Sequence, residues 1–277
     1  MCRLLALAGL GFAPREWLAV LRDVARRDPA LEREGAENPS HGDGWGLAAF
    51  SRGGGGPLEG EASIFHYRSS LPAWEDSKLE LAAELVSAPA LLIAHVRRAS
   101  RGTPLGVGAA HPFALHVGRD GGALFVAQNG EVAVEKVPGV AGRVKPGEVV
   151  DTFAYAVALA DLVEEGGDLF SALSELHRAL TSSGGVKRMA NTAALLVRRE
   201  GSRWSAQLGV VRHIADESAE RYGELYLHRG EGFTAVASSS LAERMSGLLW
   251  EPFRRNAVYV LELSGSGRVE GERWGEL

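Results

Sequence analysis

Cys2 comes first among the residues of this sequence that could do chemistry, because it directly follows Met1. Methionine is readily removed before a small residue, and removal would leave the thiol beside a free α-amino group. The unperturbed pKa of an α-amino group is about 7.7 to 8.0 and that of a thiol is about 8.5, so a proton can pass between them near neutral pH. The sequence therefore predicts a cysteine nucleophile with a built-in base. The alternative is a lone cysteine that only fills core space.

Arg97 is a candidate for binding a carboxylate. It follows the apolar run ALLIAHV, which has the length of a strand. Along a strand, Leu91, Ile93, His95 and Arg97 alternate onto one face and Arg98 falls on the other, so one arginine of the pair is predicted to point into a site. A guanidinium can hold a carboxylate with two parallel hydrogen bonds. An ordinary surface ion pair is the alternative.

Two further positions have a local interpretation from the residues alone. Asn129-Gly130 is the commonest signal for a hairpin turn. Asp151 has the composition of a cap for the helix that is predicted to start at Thr152.

The Gly-Trp-Gly segment around Trp45 is typical of backbone that passes close to a neighbouring strand while the tryptophan packs. His41, His95 and His111 are poorly spaced for a metal site, and we expect them to be satisfied polar positions near the pocket. We therefore expect neither a metal nor an organic cofactor.

Composition excludes several classes of protein. The chain has 277 residues, a formal net charge of −5 and no Lys/Arg block, so nucleic acid is not an expected partner. The single cysteine excludes an internal disulfide and multi-thiolate zinc sites, and it fits a reducing cytoplasm. The opening MCRLLALAGLGFAP has the order of a short signal peptide, but it carries only Arg3 as a basic residue and is too short to span a bilayer. A buried strand is favoured, and no membrane partner is expected.

Apolar periodicity predicts alternating strands and helices without a repeat or a linker, hence a single domain over residues 2–277 of the α+β class, with two sheets sandwiched by helices. Residues 52–57, with four glycines, are predicted to form a turn. The predicted helices cover 16–27, 75–87, 152–163 and 169–181. The predicted strands cover the first residues up to Gly9 or Gly11, then 45–50, 90–96, 123–126, 193–198, 205–213, 225–228, 233–237 and 257–263, with residues 131–139 extended.

Four segments carry a family resemblance: HGDGWGLAAF at 41–50, AHVRRASRG at 94–102, AHPF at 110–113 and VAQNGEV at 126–132. In this order, behind the opening MCRLLAL, they resemble the stand-alone class II glutamine amidotransferases. The resemblance is specific to about residue 155 and weaker beyond. It implies the four-layer αββα sandwich of N-terminal-nucleophile hydrolases, and cleavage of the glutamine side-chain amide through a γ-glutamyl thioester on Cys2 after Met1 is removed.

The same resemblance assigns roles to single residues. Arg97 corresponds to the partner of the substrate's α-carboxylate, Asp151 to the partner of its α-ammonium, and Asn129 with Gly130 to the oxyanion hole. The family commonly follows this aspartate with Ser or Thr and then Glu, whereas the third residue here is Phe153. Further residues expected around the substrate are Trp45, Gly46, Ser100 and His111.

Several functions remain open at this level. Some relatives hydrolyse larger γ-glutamyl compounds, including an intermediate of ergothioneine synthesis, so the substrate is glutamine or a γ-glutamyl amide. The chain leaves no room for a synthase domain, so released ammonia would go to a synthase subunit or be wasted; a homodimer is also compatible with the sequence.

The rivals are a Cys-first amidase for bile-salt or penicillin-like amides, which Arg97 disfavours, and a silent glutamine-binding scaffold. Residues 101–106 are either a lid or a surface loop.

Overall fold

The computed structural model describes residues 2–52, 62–86, 90–119, 121–144, 147–200, 203–263 and 269–277. Met1 lies outside these ranges, as does the turn predicted at 52–57 apart from Arg52, the last residue of a strand. The helices of the described residues are α1 (Pro14–Arg26), α2 (Pro29–Arg33), α3 (Lys78–Leu85), α4 (Asp151–Glu164), α5 (Leu169–Ser183) and α6 (Ser239–Arg244). None of them combines the length and the apolar composition that a bilayer crossing needs.

The strands of the described residues form two sheets in which the neighbours pair antiparallel. The first sheet has the order β11-β9-β10-β1-β4-β2-β3 and the second β13-β12-β8-β7-β6-β5. The strands are β1 (Arg3–Gly9), β2 (Trp45–Arg52), β3 (Ala62–Ser69), β4 (Ala90–Val96), β5 (Phe113–Val117), β6 (Gly122–Val132), β7 (Val186–Glu200), β8 (Arg203–Arg212), β9 (Leu225–Gly230), β10 (Phe233–Ser238), β11 (Glu251–Pro252), β12 (Ala257–Leu263) and β13 (Val269–Glu276).

Three apolar cores hold these elements in four layers. One core lies between the two sheets and includes Ile93 and Leu195. A second joins the first sheet to α1, α3 and α6, around Trp17. The third joins the second sheet to α4 and α5, with Tyr155 near its centre. The predicted four-layer αββα sandwich is therefore confirmed.

Strand β1 runs through the middle of the first sheet, between β4 and β10. Both of its faces are buried, which is why it is a nearly continuous apolar run in the sequence. Leu4 and Ala6 face the core between the sheets, while Leu5 and Leu7 face the helices. By the same alternation, Cys2 comes at the start of this strand on the side of the second sheet.

A buried polar cluster anchors the start of β1 on its helix side. The Arg3 guanidinium donates from Nε to Asp28 Oδ2 at 2.6 Å, and it stacks 3.9 Å from the ring centre of Tyr222. His41 Nε2 lies 2.7 Å from the same carboxylate oxygen, and Ser240 donates its hydroxyl to Oδ1. Arg3, Asp28 and His41 are completely buried, so this ion pair is shielded from water and salt.

Strand β6 differs from the prediction. It continues through the Asn-Gly dipeptide, pairing Asn129 with Asn191 and Gly130 with Ala190 of β7, and a bulge follows before Val132. The hairpin-turn interpretation is therefore wrong, because Asn129 and Gly130 pair with β7 and do not form a turn within β6. The extended run expected over 131–139 is also interrupted, by a single 3-10 turn at Val134–Lys136.

Candidate active site

A cavity of about 230 Å³ opens beside the start of β1. Its wall comes from β1, the segment after β4, the end of β6 and the start of α4. Six residues expected from the sequence line this cavity: Cys2, Arg97, Ser100, His111, Gly130 and Asp151. Asn129 contacts Cys2 directly, whereas Trp45 and Gly46 are not among the lining residues of the described chain.

The Cys2 thiol is half-buried and lies against the backbone of Arg98. The Arg98 N–H donates to Cys2 Sγ at 3.3 Å, and Sγ lies 3.5 Å from the Arg98 carbonyl oxygen. The sulphur is therefore accessible from the cavity and has a backbone donor behind it. The Arg98 side chain donates to the carbonyl oxygens of Asn38 and Ser40.

Asn129 and Gly130 lie next to Cys2 at the end of β6. Asn129 is buried, and its Nδ2 donates to the Cys2 carbonyl oxygen at 2.6 Å while its Oδ1 has no hydrogen-bond partner among the described residues. Gly130 has a φ of +124°, and a Cβ built on it would lie 1.9 Å from the Met189 carbonyl oxygen. Only glycine fits there, so the close approach of β6 to β7 depends on this residue.

Replacing Gly130 by alanine is expected to lower the free energy of unfolding by at least about 3 kcal/mol, because both the positive φ and the clash with Met189 must be relieved. Gly166→Ala is the matched control, since Gly166 has a φ of +98° but no atom lies within 4 Å of the position that a Cβ would take there. The control should lose only about 1 kcal/mol, the cost of the backbone conformation. Urea unfolding of both variants measures the difference, and equal losses would contradict the steric argument.

Arg97 places a buried positive charge on the cavity. Its side chain is almost inaccessible to water, and Nη2 donates to Thr103 Oγ1 at 3.4 Å. Nη1 has no hydrogen-bond partner, and no carboxylate of the described residues lies within ion-pair distance of this guanidinium. A buried cation with unused donors is costly unless an anion pairs with it, so Arg97 is suited to bind the carboxylate of a ligand.

For the glutamine or γ-glutamyl amide that the family resemblance implies as substrate, Arg97→Gln is expected to raise KM about ten- to a hundredfold, because a neutral amide cannot replace the charge-assisted pair. Arg101→Gln is the control: Arg101 is exposed on the same loop and does not line the cavity. Steady-state glutamate release measures both. An unchanged KM in Arg97→Gln would exclude Arg97 as the carboxylate partner.

Asp151 is the first residue of α4 rather than its cap, since Val150 occupies the cap position. Its Oδ2 accepts a hydrogen bond from the Val132 N–H at 2.9 Å, which ties the start of α4 to the end of β6. Burial raises the pKa of Asp151 above its usual value, against the opposing hydrogen bond from Val132. The carboxylate therefore gains from pairing with a cation in the cavity. Next to it, Phe153 packs edge-on against Phe113 with ring centres 5.6 Å apart.

His111 and Ser100 both line the cavity. Burial, followed by the charge of Arg97, lowers the pKa of His111 to about 3, so its ring is neutral at pH 7. The ring centre lies 4.4 Å from that of His95, which burial also keeps neutral by lowering its pKa. Ser100 is exposed, and its carbonyl accepts hydrogen bonds from Thr103. Within the described ranges, no group of three His, Cys, Asp or Glu side chains is arranged to hold a metal ion.

Trp45 and Gly46 lie outside the lining of the cavity among the described residues. Trp45 is fully buried in the core between the first sheet and its helices, and its Nε1 donates to Asp76 Oδ2 at 3.1 Å. A Cβ on Gly46 would lie 2.5 Å from the carbonyl oxygens of His111 and Tyr67. Gly46 therefore lets the loop that carries His111 pass against β2, which is a supporting position.

Several residues of the cavity were not predicted from the sequence. Gln128 and Thr152 also line the cavity, with Thr152 Oγ1 lying 3.5 Å from Gln128 Oε1. Thr103 contacts Arg97, and Lys187 reaches the wall from the start of β7. Gln128 and Thr152 are sequence neighbours of Asn129 and Asp151, so proximity to the motif residues was the available signal. Lys187 belongs to a strand that was predicted to start later.

Comparisons with known proteins agree with this architecture. The sequence profile described as "Glutamine amidotransferases class-II" matches residues 17–215, a range that begins after Cys2. One similar solved structure is the glutamine phosphoribosylpyrophosphate amidotransferase from B. subtilis complexed with ADP and GMP, at 15% identity and a TM-score of 0.61. Another is described as the allosteric regulatory enzyme of purine biosynthesis, at 16% identity and a TM-score of 0.57.

In both comparisons 99% of this chain is covered, but only 49% of the other chain, so the chain spans about half the length of these structures. No protein with curated annotation matches the sequence. The structural likeness, at this low identity, concerns the fold, while the family profile covers more than two thirds of the chain. The chain belongs to the class II glutamine amidotransferases.

Proposed function

We propose that this protein is an amidohydrolase that cleaves the side-chain amide of glutamine, or the amide of a γ-glutamyl conjugate, through a thioester on Cys2. The observation that carries the proposal is the composition of one cavity, which combines Cys2, a buried arginine, Gly130 and a carboxylate. A γ-glutamyl substrate has complementary groups: an α-carboxylate, an α-ammonium and a reactive carbonyl carbon. Family membership supports the same chemistry.

Substrate binding in this proposal uses the two charges of the cavity. The unpaired Nη1 of Arg97 and its neighbouring donors take the α-carboxylate, and Asp151 takes the α-ammonium. Asp151 is held at the end of β6 by Val132, two residues beyond Gly130. The substrate therefore lies along the end of β6, with its γ-carbonyl directed to Cys2.

The chemistry starts after Met1 is removed. The free α-amino group takes the thiol proton, directly or through water, and the thiolate attacks the γ-carbonyl carbon. The oxygen becomes negative and accepts hydrogen bonds from Asn129 and the backbone of Gly130. The protonated N-terminal amine of Cys2 then gives this proton to the leaving nitrogen as the C–N bond breaks. The product is a thioester between the γ-carbonyl of the substrate and Cys2. Water, activated by the same amine, then cleaves the thioester to give glutamate and the free thiol.

The fate of the nitrogen is part of the proposal. If the donor is glutamine, the ammonia passes to an acceptor, and a synthase subunit is the expected partner. If the donor is a γ-glutamyl conjugate, as in an ergothioneine-type pathway, the amine is itself the product and no acceptor is needed.

The test combines intact mass with glutamate release. Protein that has lost Met1 should release glutamate from glutamine or from a γ-glutamyl amide, and the faster donor identifies the substrate class. A covalent γ-glutamyl adduct on the protein, trapped by acid quenching, is expected during turnover. Retention of Met1, or release of no glutamate from any γ-glutamyl donor by the processed protein, would exclude the proposed activity.

A further inference from the structure

The loop at residues 38–44 contains the HGDG segment, to which the proposed chemistry gives no role. It lies behind the segment that supports the nucleophile, and Asp43 makes its central contacts. The Asp43 N–H donates to the Arg97 carbonyl oxygen at 3.0 Å, and the Arg97 N–H donates to the Gly44 carbonyl oxygen at 2.8 Å. Asp43 Oδ2 accepts the Ala99 N–H at 2.8 Å. Backbone and side chain of Asp43 thus hold the residues on both sides of Arg98.

The residue held in this way is the one that contacts the nucleophile. The Arg98 N–H is directed at Cys2 Sγ at 3.3 Å. The Arg98 guanidinium donates to the carbonyl oxygens of Asn38 and Ser40, so the same loop also fixes this side chain. Rotation of the peptide between Arg97 and Arg98 would break the hydrogen bond from the Asp43 N–H to the Arg97 carbonyl oxygen, and rotation of the next peptide would break the bond from the Ala99 N–H to the Asp43 carboxylate. The direction of the N–H is therefore fixed by the loop.

The loop itself is fixed from the other side. The His41 N–H donates to the Ala25 carbonyl oxygen at 2.7 Å, and the His41 ring contacts Asp28. Gly44 has a φ of +108°, and a Cβ there would lie 2.6 Å from the Ser69 carbonyl oxygen. The chain can make this close turn only with glycine, so Asp43 is delivered to its position by a loop with little freedom.

We propose that Asp43 is a positioning residue, which holds the Arg98 N–H on Cys2 Sγ so that this backbone donor stabilises the thiolate. An N–H donor favours a negatively charged sulphur over a neutral thiol. The role rests on the proposed function only in that Cys2 is the nucleophile there. Asp43 itself does not line the cavity among the described residues, so it acts through Arg98.

The thiolate also responds to the other charges of the cavity, and the test must leave them unchanged. The charged or titratable side chains that line the cavity with Cys2 are Arg97, Arg98, His111, Glu131, Glu135, Asp151 and Lys187. A substitution at Asp43 removes none of them. Because Cys2 is the only cysteine of the chain, iodoacetamide alkylation reports on this thiol alone.

The experiment measures the alkylation rate of Cys2 against pH, without substrate, in protein that has lost Met1. Asp43→Ala is expected to alkylate about tenfold more slowly at pH 7, with its pH profile moved up by about one unit, because the Ala99 N–H loses its acceptor and the segment that carries the Arg98 donor is then held on the Arg97 side only. Asp168→Ala is the control, since Asp168 accepts an N–H from Ser171 at 2.9 Å at the start of α5, away from the cavity. Its profile should match the wild type. A purely structural role for Asp43 would lower stability without moving the profile.

A wild-type profile in folded Asp43→Ala would overturn the proposal. If Asp43→Ala lacks a cooperative thermal transition, Asp43→Asn takes its place in the test. The amide oxygen of asparagine is a weaker acceptor than a carboxylate, so we expect alkylation about threefold slower than in the wild type. A wild-type rate in Asp43→Asn would then overturn the proposal. This experiment and the assay of glutamate release fail independently. Wild-type protein that releases no glutamate refutes the proposed activity, whereas the alkylation profile tests only whether Asp43 positions the Arg98 N–H.

Discussion

Cys2→Ala is expected to reduce glutamate release by about 10⁴-fold or more, because no other group of the cavity can form the thioester. The chain has no second cysteine that could substitute for it. The measurement is glutamate release from glutamine and from a γ-glutamyl amide, under conditions in which Met1 is removed from both proteins.

Cys2→Ser is the matched variant. It keeps an oxygen nucleophile of similar size, but a hydroxyl ionises much less readily than a thiol, so activity should remain below that of the wild type. Both variants should keep the wild-type thermal transition, since Cys2 is only half-buried and its sulphur makes just two long contacts with Arg98. Substantial release by Cys2→Ala would refute the nucleophile assignment.

Asp28→Ala is expected to cause the largest loss of stability, about 3 to 5 kcal/mol, because it leaves the buried Arg3 guanidinium without its counter-charge. It also removes the acceptor for His41 and Ser240. Asp23→Ala is the control on the neighbouring helix: Asp23 pairs with Arg22 at the surface, and such pairs contribute little. Chemical denaturation of both variants measures the contrast. A small loss in Asp28→Ala would show that the cluster relaxes.

The same cluster predicts loss of stability in acid. Burial alone would raise the pKa of Asp28, but the hydrogen bonds and charges of His41 and Arg3 outweigh it and hold that pKa far below its usual value. The ionised Asp28 carboxylate therefore makes its full contribution to the free energy of unfolding above the unfolded-state pKa of about 3.9, and this contribution is lost as the pH falls below that value. Burial lowers the pKa of His41 to about 4, so the unfolded chain binds the extra proton first as pH falls below about 6.5.

Asp28 and His41 thus both lower the free energy of unfolding as the pH falls. Unfolding free energies measured from pH 7.5 to 4.5 should fall, and His41→Gln should make that fall less steep, since it removes one of the buried histidines whose pKa is lowered in the folded protein. An equally steep decrease in His41→Gln would assign the acid sensitivity to other residues.

The layers of the fold could be predicted because their strands and helices carry strong apolar patterns. β4 was predicted at its observed bounds, and α4 and α5 were predicted within two residues at each end. Missed strands carry mixed patterns: β3 and β13 are edge strands with half-exposed faces, and β13 has the sequence VEGERWGE. A strand that pairs on one side only needs little apolar character, so its signal is weak.

The position of Arg97 could be predicted because it directly follows β4, a strand whose side chains alternate between two faces. The turn expected at Asn129-Gly130 was wrong, because β7 pairs with these two residues across more than fifty residues of chain. For Asp151 the sequence left a helix cap open as the alternative, whereas Val150 occupies the cap position and the Asp151 carboxylate bonds to Val132. The role of Asp43 depends on contacts with residues 97–99, which no spacing within its own motif reveals.

The position of β1 between β4 and β10 bears on how the protein folds. Strand β1 pairs Leu5 with Ala237, and the Ser238 hydroxyl accepts the Leu4 N–H at 3.0 Å. Contacts that join such distant residues form late and slow the folding of a domain. We therefore expect the first sheet to be completed late in folding, when the parts of the chain that hold β1 and β10 have come together.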